Sequence, residues 1–120
     1  TRDQAIEAGK KALEIDADDV LALLAQSALF GQKGDLEAVV KLLQPHEAKM
    51  TRDVRLANNY FEALMQSRQI DKVTKLLNAL AGSQNQQVKE VALQRSKAVA
   101  QFLQQQQQQI AKLASTPKPS

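Results

Sequence analysis

Few residues in this sequence have side chains that could perform chemistry. His46 is the only histidine, and the chain contains no cysteine. A protein-bound zinc ion takes about four ligands from His, Cys and carboxylate side chains, and Glu47 beside His46 does not complete such a set. No nucleophile has a paired base at the spacing of a known motif, and no glycine-rich loop could hold a phosphate. We therefore predict no active site, no cofactor and no metal, with His46 as a partly buried, hydrogen-bonded side chain.

Two adjacent amides are the polar feature best suited to recognising another molecule. Asn58 and Asn59 are neighbours in the sequence, and each side-chain amide can both donate and accept hydrogen bonds. A peptide backbone needs both kinds of partner, so this pair is a candidate for peptide recognition. The alternative interpretation is an ordinary solvated helix face.

The composition indicates which elements position these side chains. The chain has 120 residues, of which 43% are hydrophobic, so it can form one small domain but not two. Only 3% are aromatic, with four Gly and three Pro, whereas Ala, Leu, Gln, Lys and Glu are abundant. This mixture predicts an all-α chain rather than a sandwich or barrel. Without cysteine no thiol reports on the compartment, and abundant Gln and Ala favour a bacterial protein of the cytoplasm or periplasm.

The net charge of +3 is unevenly distributed along the chain. Residues 1–87 carry 11 basic and 12 acidic side chains, whereas residues 88–120 carry five basic side chains and only Glu90. A nucleic-acid interface needs basic residues clustered on one face, so we predict no nucleic-acid partner. No apolar run approaches about 18 residues, so we predict no direct membrane insertion.

Hydrophobic periodicity predicts a succession of helices. They cover residues 3–15, 20–32, a stretch from Leu36 that Pro45 should stop or kink, 54–67, 70–80 and 86–114. The segment 20–32 is apolar almost all round, so neighbouring elements should cover it on several sides. Gly34 suits a left-handed helix end, and residues 116–120 should form a flexible tail.

The chain superimposes on itself when it is shifted so that Asp19 matches Asp53. Val20 then matches Val54, Gln32 matches Gln66, and Leu42-Leu43 matches Leu76-Leu77. A fixed period of about 34 residues with two helices per unit is typical of the tetratricopeptide repeat. One helix pair cannot bury both its faces, so neighbouring pairs must stack and share a continuous core.

Over residues 3–100 the chain resembles the tetratricopeptide repeat family, most clearly at AIEAGKKALEIDADD (5–19) and GDLEAVVKLL (34–43). The resemblance implies a right-handed superhelical stack of antiparallel helix pairs in a single domain, 1–115. It divides that domain into a half repeat (1–19), repeats 20–53 and 54–87, and a capping helix (88–115). Arg68 stands where the family has Gly, and Gln26 where it has Leu. Residue 1 falls at the start of a second helix, so we expect a piece of a longer protein.

The resemblance also implies a concave groove lined by the first helix of each unit. The expected binding residues are Leu21, Leu24, Ala28, Arg55, Asn58, Asn59, Glu62, Met65 and Lys89. Some family members grip a carboxylate tail with Lys and Asn, but Leu24 and Ala28 stand at those positions here. We therefore predict a non-enzymatic protein–protein interaction or scaffold module that binds a peptide or helix of a protein partner. Contact of the apolar groove with upstream repeats is an open alternative.

The glutamine-rich end predicts a second class of function. A stripe at alternating spacings of four and three passes through the run Gln104–Gln109 and is typical of a coiled coil, apart from the polar breaks at Ser96 and Gln106. The stripe consists of Ala92, Ser96, Val99, Leu103, Gln106, Ile110 and Leu113. Weak self-association, and with it an assembly module acting through this helix and the open ends of the stack, is the alternative function. A small helical enzyme or nucleic-acid binder is the third.

Overall fold

The computed structural model of the chain describes residues 1–115, and the predicted flexible tail at 116–120 lies outside the described residues. The helices are α1 (Arg2–Ile15), α2 (Val20–Lys33), α3 (Leu36–Leu43), α4 (Glu47–Met50), α5 (Val54–Gln66), α6 (Ile70–Ala81) and α7 (Gln86–Ser115). A single 3-10 turn, Gln44–His46, joins α3 to α4. No strand occurs in the described part of the chain, so the prediction of an all-α protein is confirmed.

Aspartates begin three of the helices. The side chain of Asp19 accepts a hydrogen bond from the backbone N–H of Ala22, and Asp35 accepts one from Ala38. Asp53 accepts from the N–H groups of both Arg55 and Leu56. Each bond satisfies a backbone donor that has no partner inside the helix, which is why the helices begin where these residues stand.

Gly34 at the end of α2 and Arg68 in the turn after α5 both have left-handed backbone conformations. Gly34 has φ 81°, as its residue type predicts, and the following N–H of Asp35 donates to the carbonyl of Phe30. Arg68, one repeat period later, has φ 57° and is followed by the equivalent bond from Gln69 to Leu64. The turn geometry is therefore repeated although Arg68 must bear the steric cost, roughly 1–2 kcal/mol, that glycine avoids.

Pro45 interrupts the third helical segment as predicted. Helix α3 ends at Leu43, and Pro45 lies in the 3-10 turn that follows. Proline has no N–H to donate into a continuing α-helix, so the chain tightens before resuming as the short α4.

Helices that follow one another in the chain pack against one another. α1 packs on α2, α2 on α3, α5 on α6 and α6 on α7, while α5 also lies against α2 and α3. The result is a flattened arrangement measuring 66 × 37 × 18 Å. Its core comes mainly from α3, α5 and α6, whose buried side chains include Leu43, Leu56, Leu64, Val73 and Leu80.

Helix α2 shows how far apolar composition predicts burial. It contacts α1, α3 and α5, so it is covered on several sides as predicted. A strip of α2 is nevertheless open to solvent, and Leu21 within it is 69% exposed. Two of the residues that α2 buries are polar, Gln26 and Ser27.

Helix α7 extends past the rest of the described molecule. Val88, Ala92 and Val99 are buried and Gln106 is half-buried, whereas every residue from Gln107 to Ala114 is exposed. Within residues 1–115, no helix has both the length and the hydropathy that crossing a membrane would require.

Candidate functional site

A cleft of about 210 Å³ lies between α2 and α5, over the start of α3. Three of the residues expected in the groove, Ala28, Asn59 and Glu62, meet in this cleft. The complete lining is Ser27, Ala28, Gly31, Leu36, Val39, Asn59, Glu62, Ala63 and Gln66. Small side chains from the two facing helices leave the space open, and a Cβ atom added at Gly31 would meet nothing within 4 Å.

Asn59 is held in place at the edge of the cleft. Its Nδ2 donates to the Oγ of Ser27 over 2.9 Å, and that hydroxyl donates to the carbonyl of Leu24 over 3.0 Å. Ser27 is buried, so the contact ties α5 to α2 through a defined geometry. Among the described residues this is the one hydrogen bond of the Asn59 amide, which leaves its carbonyl oxygen and a second N–H for another molecule.

The structure separates the two adjacent asparagines. Asn58 does not line the cleft, and its Oδ1 is inaccessible to solvent without a hydrogen-bond partner among residues 1–115. Successive residues of an α-helix point about 100° apart, because the helix has 3.6 residues per turn. The two amides therefore do not present one paired surface to the cleft.

An ion pair joins the rim of the cleft to α7. Glu62 Oε1 lies 3.3 Å from Nη1 of Arg95, and the Arg95 guanidinium lies 5.0 Å from the centroid of the Phe61 ring. A cation over an aromatic face contributes about 0.5–1 kcal/mol at an exposed site. The pair therefore holds the Glu62 carboxylate in position while leaving it half-exposed.

Arg95 is not among the residues expected in the groove, although the sequence contains a signal for its position. Arg95 follows Phe61 by one full period of the repeat. Equivalent positions of neighbouring repeats lie close together when repeats stack, so the spacing could have indicated this contact.

The other expected groove residues lie outside the cleft. Leu24 and Met65 are half-buried and pack against the core, whereas Leu21 and Lys89 are exposed. Arg55 is exposed and binds the cap of its own helix, with Nε 3.3 Å and Nη2 3.2 Å from the Asp53 carboxylate.

The Asp53 carboxylate is stabilised in its ionised form. Burial disfavours the charge, but the hydrogen bonds from the Arg55 side chain and from the N–H groups of Arg55 and Leu56 outweigh it. Together they hold the pKa of Asp53 below its ordinary value of 3.8.

His46 is partly buried, as predicted, but among the described residues its side chain makes no hydrogen bond and instead lies beside an ion pair. Its Nδ1 is 3.6 Å from Oδ1 of Asp18, and the Nζ of Lys49 is 2.8 Å from the same oxygen. The hydrogen bond and charge of Lys49 lower the pKa of Asp18, with a smaller contribution from His46. This cluster ties the loop between α1 and α2 to α4. Among the described residues, no group of three or more acidic, histidine or cysteine side chains is placed to hold a metal ion.

Tyr60 anchors α4 to α5 from inside the core. Its hydroxyl donates to Oε1 of Glu47 over 3.0 Å, and the ring is buried. Burial, together with the nearby carboxylate, raises the pKa of Tyr60 above its ordinary value of 10.0.

A second cleft, of about 410 Å³, lies between α1, α2 and α3. Its lining is mostly apolar and includes Leu13, Phe30 and Leu42 beside the buried Gln26. The Nε2 of Gln26 donates to the carbonyl of Ile6 over 3.0 Å, so this amide joins α2 to α1 and does not line the rim of the cleft.

Comparison of the chain with protein-family models, with curated proteins and with solved structures finds no match.

Proposed function

We propose that the chain is a short tetratricopeptide-like stack of helix pairs that binds a peptide of a protein partner, without catalysis. Equivalent elements recur at the period of the sequence repeat. Helices α2 and α5 begin at Val20 and Val54, and α3 and α6 begin at Leu36 and Ile70. The left-handed turns after α2 and α5 follow the same period. These coincidences support a right-handed superhelical arrangement, because repeated local geometry gives each pair the same relation to the next.

The observation that carries the functional proposal is the cleft between the two equivalent helices α2 and α5. Its interior combines the apolar side chains of Leu36 and Val39 with small residues that leave room for an inserted group. Its rim offers the Asn59 and Gln66 amides and the Glu62 carboxylate. Binding sites commonly combine an apolar cavity with a few placed polar groups.

This chemistry fits an extended peptide that inserts one aliphatic side chain. The amide of Asn59 can accept from and donate to the peptide backbone, and its bond to Ser27 orients it beforehand. Glu62 can accept from a donor on the flanking residue of the peptide, while Arg95 neutralises it in the free protein.

The test of peptide binding has two steps. Peptide ligands are first selected, and their binding is then measured for a variant whose cleft is filled by a larger side chain. A displayed library of random peptides of about twelve residues, roughly 40 Å when extended, would be selected on the immobilised chain. Binding of an enriched peptide would then be measured by fluorescence anisotropy for the wild type and for Gly31→Leu. The leucine side chain would occupy the cleft, so we expect affinity to fall by at least about tenfold, or about 1.4 kcal/mol.

The matched control is Gln32→Leu, which adds a leucine at the next residue of the same helix, exposed and outside the cleft. This variant should bind like the wild type, and both variants should keep the wild-type circular dichroism spectrum. Failure to enrich any peptide, or equal binding by Gly31→Leu, would contradict the proposal.

A further inference from the structure

The core-facing stripe of α7 continues beyond the surface that covers it. Val88, Ala92 and Val99 are buried, and Leu103 packs against the core from the same side of the helix. Steps of three and four residues then lead through the half-buried Gln106 to Ile110 and Leu113. These last two side chains are 65% and 78% exposed, because no other helix within residues 1–115 covers them.

The chemistry of this overhanging segment, residues 107–114, suits an identical segment. No charged residue occurs from 98 to 111, and Lys112 is the one charged residue of the segment. Lys112 lies about 100° around the helix from Leu113 and about 160° from Ile110, so two copies can meet along the Ile110–Leu113 side without placing their lysines face to face. Glutamine amides both donate and accept, so the run Gln104–Gln109 is complementary to itself. An isologous interface between two copies requires this kind of self-complementary patch.

The other exposed apolar corner of the molecule lacks that property. Ile15 and Leu21, at the junction of α1 and α2, are also exposed. Three aspartates, Asp16, Asp18 and Asp19, stand between them. Lys49 pairs with Asp18, but Asp16 and Asp19 have no ion pair within residues 1–115, so two copies meeting there would bring these like charges together.

We propose that the overhanging segment of α7 pairs with the same segment of a second copy of this chain, forming a two-fold symmetric dimer. Ile110 and Leu113 of each copy form its apolar centre, and the glutamines form its rim. The earlier turns of α7 pack their apolar side against the core, and the dimer contact extends that same side of the helix. It is independent of peptide binding, since the cleft between α2 and α5 is elsewhere on the molecule.

The interface is small, so the dimer is weak. Eight helical residues span about 12 Å, so the buried area is below the low end of specific interfaces, about 1,000–1,200 Å². Sedimentation equilibrium of the whole chain from about 0.01 to about 1 mM covers the range in which such interfaces associate. We expect the average mass to rise with concentration from 13.2 kDa towards twice that value.

A pair of lysine substitutions tests whether Ile110 and Leu113 form the dimer interface. Ile110→Lys with Leu113→Lys should leave the chain monomeric over the whole range, because four charges would then meet in the interface. The control is Leu93→Lys, which charges a residue of the same helix that is 59% exposed on another face. This control should associate like the wild type, and both variants should retain the wild-type helicity, since lysine is a good helix former.

A mixing experiment distinguishes pairing of identical segments from other contacts. A fluorescently labelled Ile110→Lys, Leu113→Lys chain would be sedimented with excess unlabelled wild type. Symmetric pairing needs both overhangs, so the label should remain at the monomer mass. A rise in its mass would show that the wild-type overhang binds elsewhere on a second copy, such as the Ile15–Leu21 corner. That result, a monomeric wild type at every concentration, or loss of association in Leu93→Lys would overturn the proposal.

Discussion

At the scale of single residues, a buried glutamine and a helical glycine are matched to each other. Gln26 is 1% exposed, and its Nε2 donates to the carbonyl of Ile6. Its Oε1 has no hydrogen-bond partner among the described residues and lies against Gly9, where a Cβ atom would overlap it. Gly9 therefore lets α1 approach the polar side chain of α2 closely enough for the hydrogen bond to form.

Gly9→Ala should consequently lower the free energy of unfolding in the wild type and raise it in a Gln26→Ala background. In the wild type the new methyl group displaces Gln26 and breaks its bond to Ile6, so we expect a net loss of about 1–2 kcal/mol in the free energy of unfolding. In a Gln26→Ala background the overlap is gone, and the higher helix propensity of alanine should stabilise the chain by about 0.5–1 kcal/mol. Urea denaturation of the four chains measures both values, and the same sign in both backgrounds would contradict this account.

At the scale of helices, the caps determine where the repeated elements begin. Asp19 and Asp53 occupy equivalent positions, and Asp53 additionally receives a side-chain ion pair, from Arg55 at 3.2 Å. Each cap involves residues only two or three positions apart, so local sequence is sufficient to specify it. Arg68 shows the limit of such signals, since the turn there persists without glycine.

The stability supplied by the α5 cap should depend on pH in a defined direction. The pKa of Asp53 is lowered in the folded chain, so its contribution is fully present above its ordinary value of 3.8 and is lost as the pH falls through the lower folded value. At pH 7 we expect Asp53→Ala to cost about 0.5–2 kcal/mol. The difference from the wild type should shrink below about pH 4.

Chemical denaturation at a series of pH values measures this dependence. Asp53→Asn is the control, because asparagine also caps helices and carries no proton that titrates in this range. It should lose less stability than Asp53→Ala at pH 7. A wild-type advantage over Asp53→Ala that grows towards acid would rule out the ionised cap as its source.

At the scale of the whole molecule, the core is concentrated away from the first helix. Helix α1 buries only Ile6, whereas α5 and α6 between them bury Leu56, Ala57, Tyr60, Phe61, Ala63, Leu64, Val73, Leu76, Leu77 and Leu80. Helix α7 covers α6 from the other side. The molecule therefore has a well-packed centre and a sparsely packed edge.

Backbone amides should exchange their hydrogens more slowly in the well-packed centre than at the sparsely packed edge. We expect the slowest amides of α5 and α6 to exchange only on global unfolding, and those of α1 to open at a free energy at least about 1 kcal/mol lower. Native-state exchange read by nuclear magnetic resonance measures both sets. Equal protection of α1 and α6 would show that the edge unfolds together with the centre.

The sequence by itself determined the repeat period and the approximate bounds of every described α-helix except the short α4, because these depend on residue type and on the spacing of residues along the chain. It placed Ala28, Asn59 and Glu62 among the candidate binding residues, and these three meet in one cleft. Tertiary structure decided which apolar faces are covered, how Gln26 is buried, and that Asn58 and Asn59 do not share one surface. Each of those outcomes depends on where a neighbouring helix lies, which the hydrophobic pattern of a single helix does not specify.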